Sequence, residues 1–251
     1  MKTAVVTVRK EPAYRRAAIE NGLKRLGYAI TETAAPKSRS DLLVLWNLKR
    51  GSEEERAKHW EAKGGTVIVM ENGYLQREDK THYALSTHGH NGAGWFPFEI
   101  GEDRFSKLGF EVKEMKYRSG YILICGQRGI GSVEMASPPQ WAERINKKCV
   151  NQGLKTKLRL HPGNFAPKVP LLDDLAGASE CWVWSSGSGV RALVEGTPVK
   201  HHAPHWICEG WGTARGQVLQ RMAHGQWHHE EIATGEPFAR MAAADWGPTW
   251  R

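Results

Sequence analysis

Apolar positions in the first part of the chain alternate between two rhythms. Short solid runs at 4–8, 29–33, 41–46 and 66–70 have the length and density of buried strands. Between them, Ala17, Ile19, Leu23 and Leu26 recur at helical spacing over 13–26, and Gly27 supplies a stop signal. A second helix is predicted over 52–63, with Ser52 as its cap, acidic residues after it and Gly64-Gly65 closing it. Repeated strand–helix units of this kind predict a parallel sheet covered on both faces.

The rhythm is lost over 74–118. Within it, His82 to Trp95 carries His88, Gly89, His90, Gly92 and Gly94, which reads as an exposed functional loop or an irregular insertion. Alternation resumes with a strand at 121–125 and a helix from Pro138 or Pro139 to about Asn151. A strand at 157–160, a helix at 170–178, a strand at 181–184 and a short helix at 190–195 follow. Gly196-Thr197-Pro198-Val199 opens another extended segment, and 214–244 is mostly helical. The prediction is an α/β protein with two Rossmann-like domains, 1–115 and 116–251, the second ending in a helical tail. One continuous doubly wound sheet is the alternative.

Composition adds three limits. The 251 residues suffice for two modest domains, and 40% hydrophobic with 25% charged residues is an ordinary globular balance. No apolar run approaches a membrane span, and the start reads as a first strand and not a signal peptide, so a cytoplasmic protein is expected, bacterial or phage-encoded. Four scattered cysteines, Cys125, Cys149, Cys181 and Cys208, form no CxxC pair and read as reduced, buried thiols. A net charge of +8 favours an acidic partner, whether nucleotide phosphate, anionic sugar, membrane surface or nucleic acid. Eleven tryptophans suit packing in the interior first, and stacking on sugars and bases second.

Candidate chemistry gathers at three strand ends in the second half: Gly126 to Ser132, His161-Pro162-Gly163, and Ser185-Ser186-Gly187-Ser188-Gly189. Ligands of open parallel sheets sit outside the carboxyl ends of the strands. The last of the three also places free backbone N–H groups and a helix dipole at one point, which suits a phosphate. His161 on its own reads as a hydrogen-bonded structural histidine, and only its companions turn it toward a ligand. The histidine clusters at 88–90, 201–205 and 228–229 lack a cysteine or carboxylate at ligand spacing, so no metal site is assigned. Nor does the Asp173-Asp174 pair form an Asp-x-Asp motif.

These segments resemble, in order, the motifs of bacterial capsule polysaccharide biosynthesis proteins of the Kdo transferase group. Gly126-Gln127 with Ser132 resembles that family's Gly-Gln…Ser loop, and Arg159-Leu160-His161-Pro162 its basic-His-Pro segment. Ser185 to Val199 is similar to its serine-rich turn and Ala-Leu…Gly-x-Pro-Val continuation. Trp206 to Thr213 is similar to its aromatic-Ala-Gly-Trp-Gly-x-Thr segment, and Glu71-Asn72-Gly73-Tyr74-Leu75 to its acidic-Gly-aromatic motif. Two positions depart from the pattern: Asn72 replaces a second carboxylate, and Arg191 stands where a Glu precedes Ala192-Leu193.

The resemblance implies two Rossmann-like domains facing a cleft, the GT-B arrangement, with a nucleotide-sugar donor on the second domain and the acceptor and catalytic base on the first. It implies donor contacts at Gly126, Gln127, Arg128, Ser132, Arg159, Ser185, Ser186, Gly187, Ser188, Arg191 and Trp206, and catalytic roles for Glu71 and His161. The co-substrate is a CMP- or UDP-linked sugar, and no metal or other cofactor is expected. Glu71 reads equally as a loop-capping carboxylate. Three functions remain open: transfer to an anionic glycan, transfer to modified bases of viral DNA, and a non-catalytic module that binds nucleotide sugars or nucleic acid.

Overall fold

Residues 1–9, 11–75, 80–99, 101, 103–163 and 168–248 are described by the computed structural model. The first predicted units form as β1 (Lys2–Val6), α1 (Ala13–Arg25), β2 (Tyr28–Thr31), β3 (Leu42–Trp46), α2 (Ser52–Ala62) and β4 (Thr66–Asn72). Strands β1 to β4 pair in parallel. Alternate positions of this sheet, Val5, Leu43, Leu45, Val67 and Val69, pack with Ala57 and Trp60 of α2. The period of two along each strand sends the intervening side chains to the opposite face. Ser52 does not cap α2: Gly51 holds that position, at φ 96, and Ser52 is the first helical residue.

The silent stretch hides a strand, β5 (His82–Thr87), antiparallel to β4, and a single helical turn, α3 (Arg104–Lys107). The second unit then runs β6 (Tyr121–Cys125), α4 (Trp141–Asn151), β7 (Thr156–Arg159), α5 (Leu171–Ala176), β8 (Ala178–Val183), α6 (Gly187–Val194) and β9 (Val199–His201). Its strands form a separate all-parallel sheet in the order β7-β6-β8-β9, so the continuous-sheet alternative is excluded. All four cysteines are free and buried.

The domain limits differ from expectation. The two compact units are 1–104 with 219–251, and 105–218. Residues 113–116, expected in part as the tail of the first domain, are tied to the second: Lys113 N–H donates to Val194 O at 2.8 Å and Lys116 N–H to Gly196 O at 2.7 Å. Helix α7 (Trp211–His224), kinked at Ala214, leads the chain back to the first unit. There β10 (Gln226–His228) pairs antiparallel with β5, completing the order β10-β5-β4-β3-β1-β2 among the described residues. Helices α8 (His229–Thr234) and α9 (Glu236–Ala243) follow. The helical tail therefore belongs to the first unit, and it contains a strand. No helix among the described residues is long and apolar enough to cross a membrane.

Candidate functional site

In the second sheet β7 lies on one side of β6 and β8 on the other. The carboxyl ends of β6 and β8 thus form the switch point where α/β sheets take ligands. Gln127, two residues past β6, spans this point. Its Oε1 accepts the Ser185 N–H at 3.0 Å and its Nε2 donates to Ser185 Oγ at 3.2 Å. One side chain therefore fixes the start of the serine-rich turn. Next, Ser186 caps α6, its Oγ accepting the Ser188 N–H at 3.2 Å. Gly187 at the head of the helix is exposed and Ser188 half-buried. Removing the Gln127 amide strands the buried Ser185 N–H, so Gln127→Ala is expected to cost about 1–3 kcal/mol in chemical denaturation.

A cavity of about 310 Å³ opens on the β7 side, lined by Gly126, Gln127, Arg128 and His161 with Trp141 and Glu143 of α4. That is the lower end of the range for small-molecule sites, roughly 300–1,000 Å³. His161 Nδ1 accepts the Gly163 N–H at 3.0 Å, which leaves Nε2 to carry the proton of the neutral ring. Desolvation, and after it the Arg128 charge, hold the imidazole below its ordinary pKa. Ser185 to Ser188 do not line the cavity; they join it through Gln127.

Three expected donor contacts are engaged elsewhere. Arg159 ion-pairs with Asp174 of α5 and donates to Val169 O at 2.8 Å. Strand alternation explains this: Leu158 packs with the α4 cluster, so Arg159 points to the other face. Arg191 pairs with Glu195 at 2.8 Å, one turn on, and lies 5.0 Å from the Phe110 ring. Trp206 is 1% exposed and stacks on His201 at 5.3 Å, so it offers no face to a ligand. It forms the floor under α6: a Cβ on Gly189 would lie 2.9 Å from its ring. Ser132 turns the loop back through its carbonyl, which accepts from Met135 and Ala136.

In the first unit Glu71 ends β4, opposite Ala84 of β5. One carboxylate oxygen lies 3.5 Å from Nε2 of His90, which is 7% exposed, and the other is buried without a hydrogen-bond partner. Burial raises the Glu71 pKa, and His90 acts against that rise. The turn that follows is clamped by Gln226 of β10, fully buried, whose amide accepts from Leu75 N–H at 2.8 Å and donates to Leu75 O at 3.0 Å. A Cβ on Gly73 would come within 2.9 Å of that amide, which accounts for the glycine. Tyr74 Oη accepts the Asn91 N–H at 3.2 Å and thereby holds the loop that carries His90. His88 anchors the same loop to Glu61 of α2 at 2.6 Å. His90 and Gln226 carry no separate signal in the sequence beyond the glycine-rich histidine loop around His90. Asn72 is exposed, and the strand alternation turns it to the face opposite Glu71.

No protein-family model matches this sequence. No curated protein matches it either. Solved structures do. The beta Kdo 2,7 transferase of KpsC from Thermosulfurimonas dismutans has 13% identity over 95% of this chain and 99% of its own, with a TM-score of 0.49. The beta Kdo 2,4 transferase of KpsC from the same organism has 13% identity over 90% of each chain and a TM-score of 0.54. At that identity the likeness is one of architecture: the α/β fold of this chain is similar to that of the beta Kdo 2,4 transferase.

Proposed function

We propose that this chain is a glycosyltransferase that moves a sugar from a nucleotide-activated donor to a glycan acceptor. The observation that carries the reading is Gln127, which bridges the ends of β6 and β8 beside a cavity walled by Arg128 and His161. Breaking the sugar–phosphate bond leaves negative charge on the departing phosphate. Preformed donors and cations aimed at that charge lower the barrier more than they stabilise the ground state. Arg128, the Nε2–H of His161 and the amino end of α6 supply such groups in the second unit. The acceptor hydroxyl must lose a proton, and Glu71, half-buried and held beside His90, is the base. Its raised pKa makes it a stronger proton acceptor than an exposed carboxylate.

The fold and the ordered motifs together support a sugar acid of the Kdo class as the donated group, linked to CMP or UDP. A thermal-shift screen of CMP, UDP and their sugars tests this directly. At a hundredfold excess over Kd a ligand adds about 2.7 kcal/mol to the folded state. For a chain of this size that is roughly 5–10 °C in Tm. Arg128→Ala and His161→Ala are each expected to shrink the rise. If no nucleotide moves the Tm, the reading fails. Duplex DNA binding that collapses steeply with salt would redirect the acceptor from glycan to nucleic acid.

A further inference from the structure

The first sheet has a switch point of its own. There β2 lies on one side of β1 and β3 on the other, so the carboxyl ends of β1 and β3 open the position where such sheets receive ligands. The side chain at this position is Arg15, in the first turn of α1 and 9% exposed. Its guanidinium carbon sits 4.0 Å over the ring of Trp46, the last residue of β3, and Trp46 meets Tyr83 edge-on at 5.9 Å. One nitrogen donates to the Glu11 carbonyl, whereas Nε is buried with no hydrogen-bond partner. Among the described residues no carboxylate pairs with Arg15.

The surroundings add positive charge. Burial lowers the Arg15 pKa; Tyr83 and Tyr14 oppose the change and Arg9 adds to it. A second guanidinium is therefore within electrostatic reach. The first turn of α1 carries no acidic residue to offset its dipole. A desolvated cation without a counter-charge is costly, and an aromatic seat recovers only part of that cost. An oxyanion arriving from outside would supply the missing partner, and a guanidinium presents a rigid fork suited to two oxygens.

We propose that the Arg15–Trp46 seat is an anion subsite for the carboxylate or phosphate of the acceptor sugar. Its assignment to an acceptor rests on the glycosyltransferase reading. Trp46 pairs in register with Met70, the residue before Glu71, so seat and base lie at the same end of one sheet, on opposite faces of it.

The test uses the full chain without nucleotide, at 0.15 M salt, where charges beyond about 8 Å are screened. D-glucuronate, glucose 1-phosphate and uncharged glucose are titrated while the Arg15 Nε–H resonance is followed by ¹⁵N NMR. A saturable shift with at least one anion and none with glucose is expected. Glucuronate alone identifies a carboxylate, glucose 1-phosphate alone a phosphate. Arg15→Lys keeps the charge and loses the fork, and it is expected to weaken binding about tenfold or more. Arg9→Gln, which leaves the aromatic seat intact, is expected to weaken it less. Silence from both anions overturns the subsite, as does unchanged affinity in both variants. Nucleotide stabilisation without anion binding removes the subsite alone. Anion binding without nucleotide stabilisation removes the donor reading and leaves the subsite standing.

Discussion

Glu71→Gln is expected to lower kcat for sugar transfer by about 10²–10⁴-fold and to leave the nucleotide-induced rise in Tm intact. The amide keeps the shape of the side chain and loses only its capacity to take a proton. Because burial raises the Glu71 pKa, the acid limb of kcat/KM should lie above the ordinary carboxylate range. Activity should be lost as pH falls through that limb, since the protonated acid cannot serve as base. His90 acts against the rise, so His90→Gln should move the limb to still higher pH. Stability gives an independent check. An acid whose pKa is raised by folding favours the folded state when protonated and weakens it when ionised. At neutral pH Glu71→Gln should therefore be at least as stable as the parent chain, as expected where a site trades stability for function. Unchanged turnover in Glu71→Gln would place the base elsewhere.

Parallel strands such as β3, β4 and β6 were legible as dense apolar runs, whereas β7 and β9 carry charged or polar residues between their apolar ones. β5 and β10 were not legible. The first is buried from Tyr83 through Thr87 and shows no clean alternation, and the second has three residues and exists only through its partner. The domain limit failed for a related reason. Sequence order suggests contiguous domains, whereas 219–251 returns to the first sheet through long-range pairing that no local pattern encodes. At the site, Gln127 and Ser185 were legible as motif residues, but their mutual hydrogen bonds came from the fold. Motif position does not fix side-chain direction: Arg159 turns to Asp174 and Trp206 turns inward. Arg15 reads as an ordinary residue at a helix start. Only its surroundings show that no carboxylate among the described residues pairs with it.

Gly22→Ala should destabilise the chain, against the usual direction for this change. In a helix interior alanine is favoured over glycine by about 1 kcal/mol. Here α1 crosses α8 so closely that a Cβ on Gly22 would lie 2.1 Å from the Ile232 carbonyl oxygen and 3.2 Å from Gly235 Cα. A backbone carbonyl cannot rotate away as a flexible side chain can, so α8 must shift as a body. Overpacking of this kind costs about 1–3 kcal/mol, sometimes more. Gly235 closes α8 and opens α9 at φ 90, so the turn there cannot yield easily to another residue type. The shift would also travel. Glu231 of α8 closes a capping box with His228 and holds Arg104 at 2.9 Å, and two residues before His228 stands Gln226, the clamp on the turn after Glu71. A lower midpoint in urea, with the slope unchanged, is the expected result, together with reduced transfer. Gly216 of α7 supplies the opposite sign. Nothing lies within 4 Å of its added Cβ, so Gly216→Ala should stabilise by about 0.4–1 kcal/mol. If both substitutions raise the midpoint, α1 and α8 are not in contact, and the C-terminal segment does not hold the Glu71 turn in the way described.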